Sequence, residues 1–272
     1  MISKQDASDY TPNHKPTKNR NGFWVNPILI QGAMDSEVRV LTAALADKEE
    51  HTVMGFPFFQ GTLHGMPVII QKTFQGMVNA SAATMTALLQ FSPMMIVNQG
   101  ICGGHDPAMH RGDLLLGKDI FHYSNLKSGP TPDPNPLTGC QVFGVEPIIK
   151  HSDEEKIKLF HSDETLLSIA RNIPLPRPDM QLFTGTIASA DAWIDRKDLM
   201  HNMHHTFHTS GEDMETGAVA QLCYSFGIPL LSMRILSNTL VNDEPYDETV
   251  AELVQQCVLS FIDKVSQSPL WK

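Results

Sequence analysis

Short apolar runs, each followed by glycine or polar residues, recur along the chain and predict buried strands. They lie at residues 27–30, 56–63, 66–72, 93–98, 114–116, 182–189 and 230–236. The second and third flank a turn at Gly65 and predict a hairpin, whereas most of the others are apolar on both faces. Strands of that kind are typical of a sheet that helices cover on both sides.

Apolar residues with helical spacing predict helices at residues 36–45, 78–90, 162–172, 215–226 and 250–265. Asp35 or Ser36 is available as the N-cap of the first helix. The alternation of strands and helices predicts a layered α/β domain with a largely parallel sheet. We expect residues 1–26 to form a flexible polar tail, residues 27–272 a single domain, and the proline-rich residues 126–150 a surface loop.

Charge and composition narrow the possible partners. The 272 residues include 30 acidic and 20 basic side chains, a formal net charge of −10, which argues against a nucleic-acid binder. No apolar run approaches the roughly 20 residues of a membrane helix, and no secretory signal follows Met1. The four cysteines are widely spaced, as free thiols are in a reducing compartment, so we expect a cytoplasmic protein without a membrane partner.

Four predicted strands end in glycine-rich or polar segments, at the edge where open α/β sheets bind ligands. These segments are residues 32–37 (GAMDSE), 98–104 (NQGICGG), 189–194 (SADAWI) and 234–238 (RILSN). A fifth segment, residues 211–215 (GEDME), is expected to open a helix. In this order the five segments resemble the purine nucleoside/uridine phosphorylase superfamily, above all its hydrolytic branch, the 5′-methylthioadenosine/S-adenosylhomocysteine nucleosidases. The resemblance covers residues 27–265.

This resemblance carries expectations about fold and activity. It implies a nucleoside phosphorylase-like, three-layer α/β/α sandwich with a mixed, largely parallel central sheet. It also implies a purine nucleosidase that hydrolyses the N-glycosidic bond of a 5′-modified purine nucleoside, as in methionine salvage, and releases free base and a ribose derivative. A homodimer is expected, and neither a metal nor an organic cofactor is implied.

Catalytic roles follow residue by residue from the resemblance. Glu37 matches a carboxylate that positions and deprotonates the attacking water, as a sheet-end carboxylate can. Taken alone, Glu37 is equally a carboxylate in the first turn of a helix. Arg234 matches an arginine that helps to hold the water, and we expect Glu37 to be its buried partner.

The substrate contacts follow in the same way. Met214 and Glu215 match a pair that packs on the sugar and accepts both ribose hydroxyls, with Asp213 standing where the family usually has glutamate. Trp193 matches an aromatic residue that stacks on the purine, although a core position is equally open. The remaining expected contacts are Met34, Cys102, Gly103, Ile194 through its backbone, Ser237, and Tyr246 over the 5′ substituent.

Asn238 departs from the family pattern. Nucleosidases of this kind have aspartate here, which donates a proton to N7 of adenine, and an amide can only hydrogen-bond there. Three interpretations remain open: a 6-oxopurine nucleosidase such as futalosine hydrolase, an adenine nucleosidase with another proton source such as Asp191, or a catalytically weakened nucleoside-binding protein.

Rival chemistries are less well supported by the sequence. Phosphorolysis needs a cradle of arginine and hydroxyl donors, which residues 100–104 lack, and Glu37 would repel phosphate. The four histidines at positions 201, 204, 205 and 208 have the spacing of a zinc site but no carboxylate motif beside them. Cys102 follows a strand without the partner residues of a nucleophilic cysteine, which favours a small buried residue.

Overall fold

The structure, a computed structural model, describes residues 18, 22, 26–129, 137 and 139–268. The predicted tail therefore lies almost entirely outside the described residues, and the division of the chain at residue 27 stays a prediction.

The strands are β1 (Ile28–Gly32), β2 (Ala46–Val53), β3 (Phe56–Leu63), β4 (Met66–Lys72), β5 (Met95–Gly104), β6 (Leu114–His122), β7 (Leu126–Lys127), β8 (Gln141–Val142), β9 (Phe160–His161), β10 (Leu182–Ser189), β11 (Thr209–Asp213) and β12 (Leu230–Asn238). The helices are α1 (Asp35–Ala44), α2 (Met77–Phe91), α3 (Glu164–Ala170), α4 (Lys197–Phe207), α5 (Thr216–Phe226) and α6 (Ala251–Gln267), with short 3-10 helices at Leu240–Asn242 and Glu248–Val250.

A ten-stranded mixed sheet runs through the centre, in the order β11-β10-β6-β12-β5-β1-β4-β3-β2, with β9 attached to β6. Strands β1, β4, β5 and β12 are parallel to their neighbours in this central stretch, whereas β12 meets β6 in antiparallel pairing. The far end of the sheet bends back, because β11 also pairs with β5 at Gly103 and Gly104. This closure places the ends of β5, β11 and β12 side by side.

Helices cover both faces of the sheet, which confirms the three-layer α/β/α architecture. Alternate residues of β1 enter different cores: Ile28 and Ile30 join the core beneath α1, α3 and α6, and Leu29 joins the core beneath α2 and α5. A third cluster packs α4 against β6 and β10 through residues such as Phe121 and Met203. The central strands are therefore apolar on both faces because each face packs against its own helical layer.

Of the strands that the hydrophobic pattern does not predict, β2 and β11 are the longest. Strand β2 is largely exposed and carries consecutive charged residues, and it is held by antiparallel pairing with β3. Strand β11 occupies the segment that we expected to open a helix, and α5 begins only at Thr216. Its ladder bonds come from β10 on one side and β5 on the other, so tertiary pairing decides its conformation.

No helix in the described part of the chain is both long and apolar enough to cross a membrane. The predicted loop at residues 126–150 contains the short β7–β8 ladder, and residues 130–136 and 138 within it lie outside the described residues.

Candidate active site

A cavity opens at the carboxyl ends of β1, β5, β11 and β12, the edge at which open α/β sheets bind ligands. Its walls contain every site residue that the sequence predicted except Arg234, which lies beneath the floor. The lining residues are Ala33, Met34, Glu37, Gln75, Ile101, Cys102, Gly103, Ala192, Trp193, Ile194, Glu212, Asp213, Met214, Glu215, Ser237, Asn238 and Tyr246.

Glu37 is held at the floor by three backbone N–H groups. One carboxylate oxygen accepts from Ala33 at 2.6 Å and from Met34 at 3.0 Å, and the other accepts from Ile101 at 2.8 Å. The side chain therefore completes the first turn of α1 and also faces the cavity, so the contact with the helix does not exclude the expected catalytic role. Burial raises the pKa of Glu37 above its usual value, against the opposing effects of Arg234 and the three N–H donors.

Arg234, only 1% exposed, pairs with Asp213 and not with Glu37, which corrects the expected ion pair. Its Nη2 lies 2.7 Å from the Asp213 carboxylate, and Thr216 and Asn98 accept its other hydrogen bonds. A Cβ at Gly100 would lie 2.4 Å from both Nη1 of Arg234 and Oε1 of Glu37. The absence of a side chain at Gly100 therefore lets the guanidinium of Arg234 and the carboxylate of Glu37 approach the same point.

Asp213 connects the sheet to α5. Its carboxylate accepts from the hydroxyls of Ser189 and Thr216 and from the backbone N–H of Thr216 at 3.2 Å. Together with the ion pair to Arg234, these contacts give both carboxylate oxygens of Asp213 partners within the protein. Asp213 is thus placed to position its neighbours at the cavity wall.

Glu215 lies at the start of α5, where its carboxylate accepts the N–H of Gly76 at 2.9 Å. Burial, together with the negative charge of Asp213, raises the pKa of Glu215 to about 8. Gly76 makes this contact with φ at +99°, a conformation that residues with a side chain rarely adopt. The loop before α2 is therefore tied directly to the carboxylate that we expected to hold ribose.

Two aromatic side chains form the mouth of the cavity. Trp193 is 62% exposed and meets Tyr246 edge-on, with ring centroids 5.3 Å apart. The exposure of Trp193 rules out the alternative that it is a core residue. On the other side of the mouth, Gln75 donates to the sulfur of Met34 at 3.3 Å.

Asn238 lies beside Gly103 at the inner end of the cavity, and its amide oxygen is 3.0 Å from the Ser237 hydroxyl. That contact leaves the amide N–H₂ available to a ligand. Cys102 is buried next to it, and burial raises the pKa of its thiol, which keeps the sulfur protonated and argues against a nucleophilic role.

Glu212 was not singled out by the sequence analysis, although it lies in the 211–215 segment quoted there. It is 8% exposed and lines the inner end of the cavity, and one of its oxygens is 3.6 Å from Nε2 of the buried His105. The sequence does contain a signal, a charged residue within residues 211–215. Because we expected that segment to open a helix, and the structure shows most of it as a buried strand, Glu212 was not predicted to face the cavity.

The histidines of α4 and Asp191 are not among the residues that line the cavity, although Asp191 lies beside Gly76. His204 bonds to the carbonyl of Thr209 at 2.7 Å, and the rings of His201 and His205 are 6.5 Å apart. Among the described residues, no group of three or more His, Cys, Asp or Glu side chains is arranged to hold a metal ion. Asp191 accepts the N–H of Met77 at 2.6 Å, at the start of α2.

The chain is similar to known proteins over most of its length. The sequence model of the Phosphorylase superfamily matches residues 27–266. A 5′-methylthioadenosine/S-adenosylhomocysteine nucleosidase from Marinomonas sp. is 30% identical over 216 residues, which cover 79% of this chain and 86% of that protein.

Among solved structures, the nucleosidase of the same kind from Colwellia psychrerythraea, in complex with adenine, has a TM-score of 0.73 at 26% identity and covers 89% of this chain and 96% of its own. A futalosine hydrolase mutant of Helicobacter pylori has a TM-score of 0.70 at 24% identity, covering 90% of this chain and all of its own (100%). At that identity the second likeness concerns the fold alone.

Proposed function

The chain belongs to the phosphorylase superfamily, in its 5′-methylthioadenosine/S-adenosylhomocysteine nucleosidase branch, and from this premise we propose that it hydrolyses the N-glycosidic bond of a 5′-modified purine nucleoside of that type. The products are the free base and a ribose derivative. Because water attacks the sugar, this reaction differs from phosphorolysis. The proposed class of substrate rests on the nucleosidase branch to which the chain belongs and on the residues that line the cavity.

The observation that carries the proposal is the occupancy of the N–H donors on the cavity floor. Backbone N–H groups that converge on one point form a site for an oxyanion such as phosphate. Here the donors of Ala33, Met34 and Ile101 all bind the carboxylate of Glu37. A second anion at this point would be repelled, whereas a water molecule would find a buried base. The floor thus favours hydrolysis.

The other roles follow from position. Glu215 accepts the ribose hydroxyls, and Met214 packs on the sugar. Arg234 and Asp213 hold the floor in place from below, and the geometry supports a positioning role for both, since their polar atoms bond mainly to the protein. Trp193 stacks on the base at the mouth, and Tyr246 and Gln75 lie next to the 5′ group.

A second candidate is a 6-oxopurine nucleosidase, favoured by Asn238. Its amide N–H₂ can donate to both N7 and O6 of such a base, whereas at adenine it can donate to N7 but not to the 6-amino group, which offers hydrogens. Adenine release from 5′-methylthioadenosine and S-adenosylhomocysteine, measured against hypoxanthine release from inosine and futalosine, separates the two candidates.

We place the protein in the cytoplasm and expect it to act as a homodimer. Support for the dimer comes from two large apolar side chains that α2 exposes, Val78 and Leu89. Sedimentation analysis at micromolar concentration tests this assembly, and a monomer there would contradict it.

Replacement of Glu37 tests the proposed reaction. Glu37→Gln keeps the shape of the side chain but removes the base, so base release should fall by at least about a hundredfold. Binding of the free purine should remain measurable by calorimetry. Glu252→Gln, on the exposed face of α6, is the matched control and should behave as wild type. Full activity of Glu37→Gln would overturn the assignment.

A further inference from the structure

Three buried polar atoms at or near Glu212, a residue that lines the cavity, lack a hydrogen-bond partner within the described part of the chain. They are Oε2 of Glu212, Nε2 of His105 and the hydroxyl of Tyr123. The other ring nitrogen of His105 is fixed by Thr209 at 2.8 Å, so its Nε2 points in a defined direction, towards Glu212 at 3.6 Å. Such a group of buried and unpartnered atoms beside a cavity is costly for a fold and indicates a functional role.

Glu212 lies next to the amide that departs from the family pattern. A Cβ built on Gly103 would be 3.6 Å from Oε1 of Glu212 and 3.6 Å from Nδ2 of Asn238. Both side chains therefore border the same open space above Gly103. A ligand group that reaches Asn238 is also within reach of the Glu212 carboxyl group.

We propose that Glu212 is the general acid of this enzyme and supplies to the leaving purine the proton that Asn238 cannot donate, with His105 as the positioning residue behind it. This inference rests on the proposed hydrolysis. It assigns the two ends of the reaction to two carboxyl groups on different walls of the cavity, Glu37 after β1 and Glu212 on β11. Pairs of carboxyl groups divide acid and base roles in the same manner in the hydrolysis of O-glycosides.

The step balances as a proton transfer coupled to bond cleavage. The bond between C1′ and N9 breaks, its electron pair moves into the purine, and N7 takes the proton from the Glu212 carboxyl group. Water forms the new bond to C1′ and gives its proton to Glu37. Glu212 then regains a proton through His105, and Glu37 releases one to solvent, so no further reactant is needed.

Several titratable groups surround Glu212. Glu212 faces His105, Tyr123 and Cys102, and Asp213 lies next in the chain. The buried guanidinium of Arg234 is already paired with Asp213. His105 is thus the basic group that remains beside Glu212 to share a proton with it.

The test compares two leaving groups. Glu212→Gln should lower kcat for 5′-methylthioadenosine by about 10²–10⁴-fold. It should change kcat by less than about threefold for the p-nitrophenyl glycoside of 5-methylthioribose, because p-nitrophenolate leaves without being protonated. His105→Gln should show the same selectivity with a smaller loss. A structural defect would slow both substrates equally, so equal losses, or no loss on the nucleoside, would overturn the proposal.

A rescue experiment provides a second, independent outcome. Adding Asn238→Asp to Glu212→Gln restores an acid at the same open space and should recover at least about tenfold in nucleoside cleavage. Failure to recover would count against Glu212 as the acid. Glu37→Gln should abolish cleavage of both substrates. If the wild type is active and Glu212→Gln slows both substrates equally, this inference alone is refuted. If the wild type cleaves neither substrate, the proposed function is refuted.

Discussion

Glu215 offers a quantitative check on the electrostatics of the cavity. Its carboxyl group has a pKa of about 8 in the folded protein, chiefly because it is buried, against 4.5 for an exposed glutamate. The unfolded chain therefore loses this proton at a lower pH than the folded one. Between these two pKa values, raising the pH stabilises the unfolded state, so the side chain increasingly destabilises the fold.

Glu215→Gln removes this penalty and keeps an oxygen that can accept the N–H of Gly76. From the two pKa values, the variant should be more stable than wild type by about 3 kcal/mol at pH 7 and by less than about 1 kcal/mol at pH 5. Near pH 4 the difference should vanish. For a domain of this size, 3 kcal/mol corresponds to a rise in Tm of roughly 5–10 °C.

The assay is urea or thermal unfolding of both proteins at equal concentration, at several pH values from 4 to 8.5. Glu252→Gln is the control, because its exposed ion pair with Arg39 should contribute little at any pH. A Glu215→Gln variant that is less stable than wild type at pH 7, or a difference that does not depend on pH, would refute the reasoning. It would mean that Arg234 and the Gly76 N–H keep the carboxylate ionised despite its burial.

Two further predictions concern the floor of the cavity. Gly100→Ala should lower kcat by more than about tenfold in a steady-state assay of base release, because its Cβ would lie 2.4 Å from both Arg234 and Glu37. Gly103→Ala is the control. Its Cβ would meet only ordinary contacts, at 3.5 Å, and this variant should fold normally. The acid limb of the profile of kcat/KM against pH should show an apparent pKa above 4.5, since burial raises the pKa of Glu37 and only its deprotonated form can accept a proton from water; a limb at or below 4.5 would contradict this.

Much of this fold could be predicted because the central strands are buried on both faces and so read as continuous apolar runs. Strands β1, β3, β4, β10 and β12 lie where the pattern predicts them, and the cavity gathers the segments that follow several of them. Strand β2 was missed for the opposite reason, since its exposed charged residues carry no burial signal. Strand β2 forms because its backbone pairs with β3, and the sequence of β2 alone does not indicate this pairing.

Within the site, residue identity could be predicted better than pairing. Arg234 needed a buried carboxylate, but the sequence offered several, and only the closure of β11 onto β5 brings Asp213 to 2.7 Å from the guanidinium. The same closure turns Glu212 towards Gly103 and the cavity. Both errors come from one non-local contact. The catalytic roles of these residues stay predictions until the variants are measured.

The balance of charge in the cavity suggests why such an unfavourable arrangement is useful. Arg234 forms its ion pair with Asp213, and burial raises the pKa of both Glu37 and Glu215 despite the opposing effect of the guanidinium. Cleavage of an N-glycoside develops positive charge on the sugar, and the proposed roles place Glu37 and Glu215 next to that sugar. Each carboxylate then gains the partner that the free enzyme does not give it, so the free energy that destabilises the fold returns as stabilisation of the transition state. On this reasoning Glu215→Gln should be more stable and less active at once, and the two effects should grow together as the pH rises.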